Sequence, residues 1–371
     1  MRIVFVLLFL SVVLGGYFYV FYRLWQMMPP NLIGRILLVG AAVLFILSLV
    51  LSFVGRDFLP MGFAAFGYKL STSWLIMFLY LILLFLVLDL LRVTHLIPVE
   101  RFMYNSWIGF GSVFATIGLL LSIGYYRYIH KERVELTIPI KKELTLEGKK
   151  NLKIVAISDL HIGFNIGKKE LESWVDLINK EEPDLVLIAG DIIDNSVKPL
   201  FAEDMASPFY QIKSRLGVYT IMGNHEYIAN ATEATAFLEA AGLTLLKDSV
   251  ALVNDSFYII GRDDRSNPNR KSIEELTASL DKTKPLLLLD HQPLHLEEAE
   301  KNGIDLQISG HTHGGQVWPI TLVTKAMFEI DHGYLQKGNS HFYVSSGLGI
   351  WGGKFRIGSQ SEYVVINLQS E

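Results

Sequence analysis

Two periodicities divide the chain of 371 residues. In the first third, apolar residues run almost unbroken through four stretches, roughly 3–22, 36–54, 73–91 and 107–126. Each approaches the ~20 residues with which a helix crosses the hydrocarbon core of a bilayer, so four membrane-spanning helices are expected. Tyr17, Tyr19, Trp25, Trp74, Trp107, Tyr125 and Tyr126 stand near the stretch ends, where amphipathic rings favour the lipid–water boundary. The first stretch is too long for a signal-peptide core, has no A-x-A site after it and precedes three more spans, so it reads as a span. Past Lys131 the runs shorten. Val134, Leu136, Ile138 and Ile140 alternate with other residues as in a strand, and Gly148-Lys149-Lys150 punctuates the end of that segment. Short apolar runs then recur at 153–158, 185–189, 218–222, 257–260, 286–289, 306–308, 342–344 and 363–366, with helical patterns near 167–180, 231–241, 272–280 and 294–302. Strands alternating with helices predict a layered α/β domain with buried strands. The expected organisation is a multi-pass transmembrane anchor over 1–130, a linker with entry strands over 131–150, and the α/β domain over 151–371.

Composition sharpens this division. Hydrophobic residues make up 51% and charged residues only 19%, too apolar for an ordinary soluble protein. No cysteine is present, which excludes a disulfide-stapled scaffold. The net charge of −4 is unevenly spread: residues 1–130 hold eight of the 33 Lys and Arg and three of the 37 Asp and Glu, so the remainder has 25 basic and 34 acidic side chains, a net of −9. Such an acidic domain lacks the basic face of a duplex-binding protein, and no nucleic-acid partner is expected. Arg2, Arg56, Lys69, Arg127, Lys131 and Arg133 flank the spans on the side of both termini, against Arg23, Arg35, Arg92 and Arg101 on the other. This excess predicts a cell-membrane protein with its water-soluble part in the cytoplasm. Asp89, the one acid within a span, lies two residues from the stretch end and reads as a carboxylate solvated at the interface. Without paired buried charges or matched helix breakers, the first third reads as an anchor rather than a transport pathway.

The informative polar residues sit where the predicted strands stop. They are Ser158-Asp159-Leu160-His161, Gly190-Asp191-Ile192-Ile193-Asp194, Gly223-Asn224-His225-Glu226, Asp290-His291 and Gly310-His311-Thr312-His313-Gly314-Gly315-Gln316. Open α/β sheets bind ligands at the carboxyl ends of their strands, so the five clusters converge on one rim. Pairs such as Asp159/His161 and His311/His313 would project to one side of an extended segment. Asp, Asn and His offer oxygen and nitrogen but no sulfur, a donor set suited to Mn, Fe, Zn or Co. Seven such groups are too many for one tetrahedral ion and suit two ions sharing a carboxylate, which can activate water and stabilise in-line displacement at phosphorus.

In this order, D-x-H, G-D-x-x-D, G-N-H-E, a lone His after a strand, and G-H-T-H resemble the calcineurin-like metallophosphoesterase superfamily over about residues 150–370. The extension to G-H-T-H-G-G-Q, with Ser346-Gly347-Leu348-Gly349 and Arg356 beyond, looks like a membrane-associated bacterial branch that includes uncharacterised phosphoesterases and UDP-diacylglucosamine pyrophosphatases. The resemblance implies a β-sandwich flanked by helices. It implies one metal on Asp159, His161, Asp191 and His313, and a second on Asp191, Asn224, His291 and His311, with Asp191 bridging. It casts His225 as the acid that protonates the leaving oxygen, Asp194 as the acid that orients it, and Glu226 as the alternative in that supporting role. Two divalent ions are expected, Mn favoured among Mn, Fe, Zn and Co. Arg262 and Arg356 read either as phosphate contacts or as solvated ion-pair residues, and His295, His332 and His341 as ordinary loop or surface residues.

The expected activity is hydrolysis of a phosphoester or pyrophosphate by metal-bound hydroxide, with His225 as general acid and no covalent intermediate. Tethering to a bilayer favours a phosphorylated lipid or lipid-linked substrate. The apolar stretch 318–330 reads either as core packing or as a lipid-contacting lip. The alternatives are a catalytically silent membrane scaffold, or a transporter or sensor regulated by its phosphoesterase-like domain.

Overall fold

The computed structural model describes residues 2–53, 58–144, 146 and 150–370, with the backbone alone for 2–10, 12 and 53. Residue 54 at the end of the second expected span, Arg56 and Asp57 beside it, and Gly148 and Lys149 of the expected turn lie outside the described residues. The chain forms two compact units, Met1–Gly124 and Tyr125–Glu371.

The first unit is helical. It contains α1 (Arg2–Met27), α2 (Leu32–Phe53), α3 (Met61–Thr94), the single turn α4 (Glu100–Met103) and most of α5 (Trp107–Ile129). Among the described residues three helices are long and apolar enough to cross a membrane: Leu32–Ser52, Met61–Thr94 and Trp107–Ile129, with mean hydropathies of 2.5, 2.7 and 1.8. The α3 helix starts 12 residues before the apolar stretch expected there, because Met61–Thr72 continues the helical backbone. Asp89 departs from the interfacial reading. It accepts a hydrogen bond from the Tyr19 hydroxyl at 2.6 Å and pairs with Arg23 of α1, with Arg92 3.6 Å away. An opposite charge and a phenol on neighbouring helices satisfy the carboxylate inside the bundle, where bulk water is replaced by fixed partners.

The second unit holds two six-stranded sheets. Strands β1 (Glu132–Ile140), β2 (Asn151–Ile157), β3 (Leu185–Ile188), β4 (Val218–Thr220), β5 (Thr244–Leu245) and β12 (Glu362–Ser370) form one, in the order β1-β12-β2-β3-β4-β5. The other contains β6 (Ser249–Val253), β7 (Phe257–Gly261), β8 (Leu286–Leu289), β9 (Leu306–Ser309), β10 (Gly333–Lys337) and β11 (Ser340–Val344), in the order β10-β11-β9-β8-β7-β6. Between and around them run α6 (Lys168–Lys180), α7 (Lys198–Ala202), α8 (Asn224–Ile228), α9 (Ala231–Ala240), α10 (Ile273–Thr277), α11 (Leu296–Lys301) and α12 (Ile320–Met327).

Strand alternation explains the layering. In β2, Val155 and Ile157 pack with Trp174 of α6 and Phe237 of α9, whereas Leu152, Ile154 and Ala156 face a core shared with the second sheet. In β8, Leu287 and Leu289 enter that shared core, while Leu286 and Leu288 meet Ile273 of α10 and Leu296 of α11. Successive side chains point to opposite faces, so uninterrupted apolar runs such as Leu185–Ile188 mark strands covered on both sides. The result is helices, sheet, sheet, helices: the flanked sandwich. Strands β2, β3 and β4 run parallel, as do β7, β8, β9 and β11, which aligns their carboxyl ends.

Candidate metal centre

The carboxyl ends of β2, β3, β4, β8 and β9 feed the loops that carry the expected ligands. Three groups of ligand atoms lie within 4.8 Å of one another: Asp159, His161 and His313; His161, Asp191 and His225; and Asp191, His291 and His311. His161 belongs to two of them, and so does Asp191. Asn224 adjoins the third group, its Oδ1 2.9 Å from His311 Nδ1. All seven expected ligands therefore come together, although they are drawn from positions 159 to 313.

The backbone achieves this in an unexpected way. Asp159, His161, Asp191, His311 and His313 have φ of 53°, 47°, 51°, 71° and 53°. The two i, i+2 pairs converge through left-handed turns, not through extended chain. Such conformations cost on the order of 1–3 kcal/mol each and persist where the surroundings impose them. Here the imposition is visible. The amides of Asp159 and His161 donate to the carbonyls of Gly190 and Asp191, and the His311 amide donates to the Asp159 carboxylate at 3.0 Å. Close approach also demands glycine: a Cβ on Gly223 would stand 2.1 Å from Asp191 Oδ1, and one on Gly310 would stand 2.3 Å from Asp159 Oδ2.

Electrostatics mark the cage as a place for cations. Burial opposes every charge here, yet His291 holds the Asp191 carboxyl well below its ordinary range, and Asp191 in turn pushes His291 well above its own. Burial drives His313 well below the ordinary imidazole value. The donor set passes a sharper test at His291. Its Nδ1 lies 2.7 Å from the Ala189 carbonyl, an acceptor, so Nδ1 carries the hydrogen. Its Nε2, buried and in no well-formed hydrogen bond, faces Asp191 Oδ2 at 3.1 Å, where the raised proton affinity keeps a hydrogen when no cation is bound. A divalent cation between this ring and the carboxylate would take the place of that proton. His161 Nε2 and His313 Nε2 likewise approach to 3.1 Å. The residues fit two divalent ions.

His225 stands at the edge of this cage. Its Nδ1 lies 2.5 Å from the Asp194 carbonyl and 3.6 Å from the Asp194 carboxylate, so the main chain of Asp194 fixes the ring and the side chain adds charge. Burial alone would depress the imidazolium; Asp194 and Asp191 overcome it and raise His225 to about 9. Glu226 has a different task from the one expected. Fully buried, it accepts from the amides of Asp191, Ile193 and Gly223 at 3.1, 2.9 and 2.7 Å, tying the end of β3 to the end of β4.

The two arginines are buried and engaged within the chain rather than solvated. Arg356 is completely buried and donates to the carbonyls of His313, Ser346, Gly347 and Gly349 at 2.8, 2.6, 3.2 and 2.8 Å. Its planar fork gathers carbonyl oxygens from two loops. Arg262 pairs with Asp290 at 3.1 Å, beside the expected ligand His291. His332 meets Glu362 and His341 meets Tyr334, apart from the cage, and His295 is exposed. One buried polar group escaped the sequence reading: Asp263 and Asp264 follow β7, where Asp263 accepts from Tyr227 and Asp264 from Gln292. Their position after a short apolar run was the available signal.

Residues 152–315 match the calcineurin-like phosphoesterase family. An uncharacterized metallophosphoesterase of Helicobacter pylori is 30% identical over 278 residues, covering 73% of this chain and 73% of that protein. The chain belongs to the calcineurin-like phosphoesterase family. This metallophosphoesterase is accordingly a metal-dependent phosphoesterase hydrolase, with His and Asp groups that could hold metal. A transmembrane protein with metallophosphoesterase domain from Danio rerio is 32% identical over 252 residues, 64% of this chain and 57% of its own length. Among solved structures, a 5'-nucleotidase precursor from Thermus thermophilus overlaps 59% of this chain and 54% of its own at 15% identity, with a TM-score of 0.37.

Proposed function

We propose that this metallophosphoesterase is a membrane-anchored, dinuclear phosphohydrolase that cleaves a phosphoester or pyrophosphate of a lipid or lipid-linked substrate. The observation that carries the reading is the chain of ligand groups linked through His161 and Asp191, with His291 Nε2 3.1 Å from the Asp191 carboxylate. Asp159, His161, Asp191 and His313 would hold one ion, and Asp191, Asn224, His291 and His311 the other. Mn is the favoured metal among Mn, Fe, Zn and Co, on donor chemistry. When bound, the two ions supply Lewis acidity and an activated water for in-line attack at phosphorus. His225 completes the reaction from the chain's side. With Nδ1 held on the Asp194 carbonyl, Nε2 is the end free to deliver a proton to the leaving oxygen. Asp191 keeps His225 in place by accepting its amide hydrogen at 2.9 Å.

The membrane reading draws on the three long apolar helices and on relatives named transmembrane proteins. With α1 added, four spans put both termini on one side, and the flanking Lys and Arg favour the cytoplasm for the catalytic unit. Substitution tests the chemistry. His225→Ala in the Mn-loaded enzyme is expected to lower turnover of alkyl phosphates about 10²–10⁴-fold, and of nitrophenyl phosphates much less, because the better leaving group needs no proton. Asp191→Ala should abolish hydrolysis and halve or eliminate bound metal measured by elemental analysis. Full activity in both variants would refute the assignment.

A further inference from the structure

The loop that carries His311 and His313 runs directly into an apolar helix that the fold leaves uncovered. Helix α12 packs through Thr321, its one buried residue, against Gly315, where an added Cβ would stand 2.3 Å from the Thr321 Cα. Its other large residues face outward: Ile320, Leu322, Val323 and Met327 are 44%, 56%, 52% and 67% exposed, with Trp318 beside them at 48%. Of the two readings of this stretch, core packing holds for Ile330 at its end but not for the residues of α12 and Trp318. Monomeric proteins seldom display adjoining large apolar side chains unless something covers them.

The patch borders the cage at two places. Phe328, which ends α12, lies 6.3 Å from the His311 ring, centroid to centroid. Across the site, Trp351 is 45% exposed with its ring 6.5 Å from that of His225, and its carbonyl accepts a hydrogen bond from Gln316, two residues before Trp318. The apolar rim thus continues past the metal ligands to the group placed as proton donor.

We propose that α12, Trp318 and Trp351 form an interfacial lip that inserts among the acyl chains of a bilayer, so that lipid-borne phosphate meets the metal cage without leaving the membrane surface. The inference rests on the membrane-anchored reading above and names how that site takes its substrate. Three observations commit the lip to lipid. First, only His130 and Lys131 separate the end of α5 from β1, a tether of about 7–10 Å even when extended, so the catalytic unit begins at the end of an apolar helix. Second, α12 contains Lys325 and no acid, as suits a surface of anionic headgroups. The first acids after it in the chain are engaged, Glu329 with Lys337 and Asp331 with Thr324. Third, the lip pairs aliphatic side chains with two tryptophans, the composition of helices lying in the membrane interface.

The chain has no cysteine, so a single Leu322→Cys can be labelled uniquely in the full-length protein. In proteoliposomes of phosphatidylcholine and phosphatidylglycerol, an environment-sensitive fluorophore at position 322 should be quenched by doxyl-labelled acyl chains, and one at exposed position 282 (Lys282→Cys) should not. In parallel, Val323→Glu should lower hydrolysis of vesicle-borne lipid phosphate about tenfold or more, as burying a charge in place of a Val side chain would. Hydrolysis of soluble bis-nitrophenyl phosphate should not change. Absence of quenching at position 322 overturns the proposal, and cross-linking between copies there would assign the face to a second chain instead. An equal fall on both substrates overturns it too, because the helix would then merely support the cage. If the unsubstituted protein hydrolyses neither substrate, the proposed function fails, and the quenching result still decides the lip.

Discussion

His225 feels burial and negative charge at once, and the outcome can be measured without any substrate. Desolvation lowers its affinity for a proton, but Asp194 and Asp191 raise the value to about 9, above the ordinary 6.5. In the metal-free protein the folded state therefore binds this proton more tightly than the unfolded chain does. The stabilisation is complete below pH 6.5 and disappears as the pH rises through about 9. The melting temperature of the chelated protein should fall across that window, and His225→Gln should flatten the fall; an identical slope in both would remove the Asp194–His225 interaction from the account. At this scale the sequence was informative about identity and silent about geometry. The G-N-H-E and G-H-T-H blocks exposed Asn224, His225, His311 and His313 as residue types in order. Nothing in them indicates that His311 and His313 lie in left-handed backbone, or that Arg356 spends its fork on four carbonyls, because both depend on loops distant in the chain.

Among the elements, those covered on both faces were the legible ones. Runs such as Leu286–Leu289 need no alternation to be recognised, since each side chain is buried whichever way it points. The strands β5, β6 and β10 escaped for the opposite reason: β5 has two residues, and β6 and β10 are edge strands with half-exposed side chains. Helix α12 was hidden by Ile320, Thr321, Val323 and Thr324, whose β-branched side chains weaken helix propensity. Helix α8 was concealed inside a motif read only for its chemistry. Its Glu226 belongs to the helix's first turn and accepts three amides, so the same side chain caps α8 and joins two strand ends. Glu226→Gln substitutes an amide that offers one acceptor oxygen to three donors, leaving a buried N–H group unsatisfied. A stability loss of about 1–3 kcal/mol is expected by urea denaturation. Metal affinity should fall with it, because the Asp191 and Gly223 backbones are no longer held together.

For the whole molecule, the division into two units has a direct test. Among the described residues, the core clusters of the catalytic unit draw on Tyr128 to Leu368, which a fragment covering 125–371 contains. It is expected to fold, bind two equivalents of Mn and hydrolyse bis-nitrophenyl phosphate at close to the full-length rate. A folded but inactive fragment would show that the apolar helices take part in the reaction. Tyr128 marks where the cut must not go further: it is fully buried, its hydroxyl donates to Glu170, and Lys131 covers its ring at 3.7 Å. The five positive φ angles carry a last implication. Because the polypeptide sets the curvature of its own loops in advance, an incoming cation has little to reshape, and exchanging one divalent species for another asks no rearrangement of the main chain. Discrimination among metals then rests on donor chemistry and on supply in the cell, rather than on reshaping of the loops.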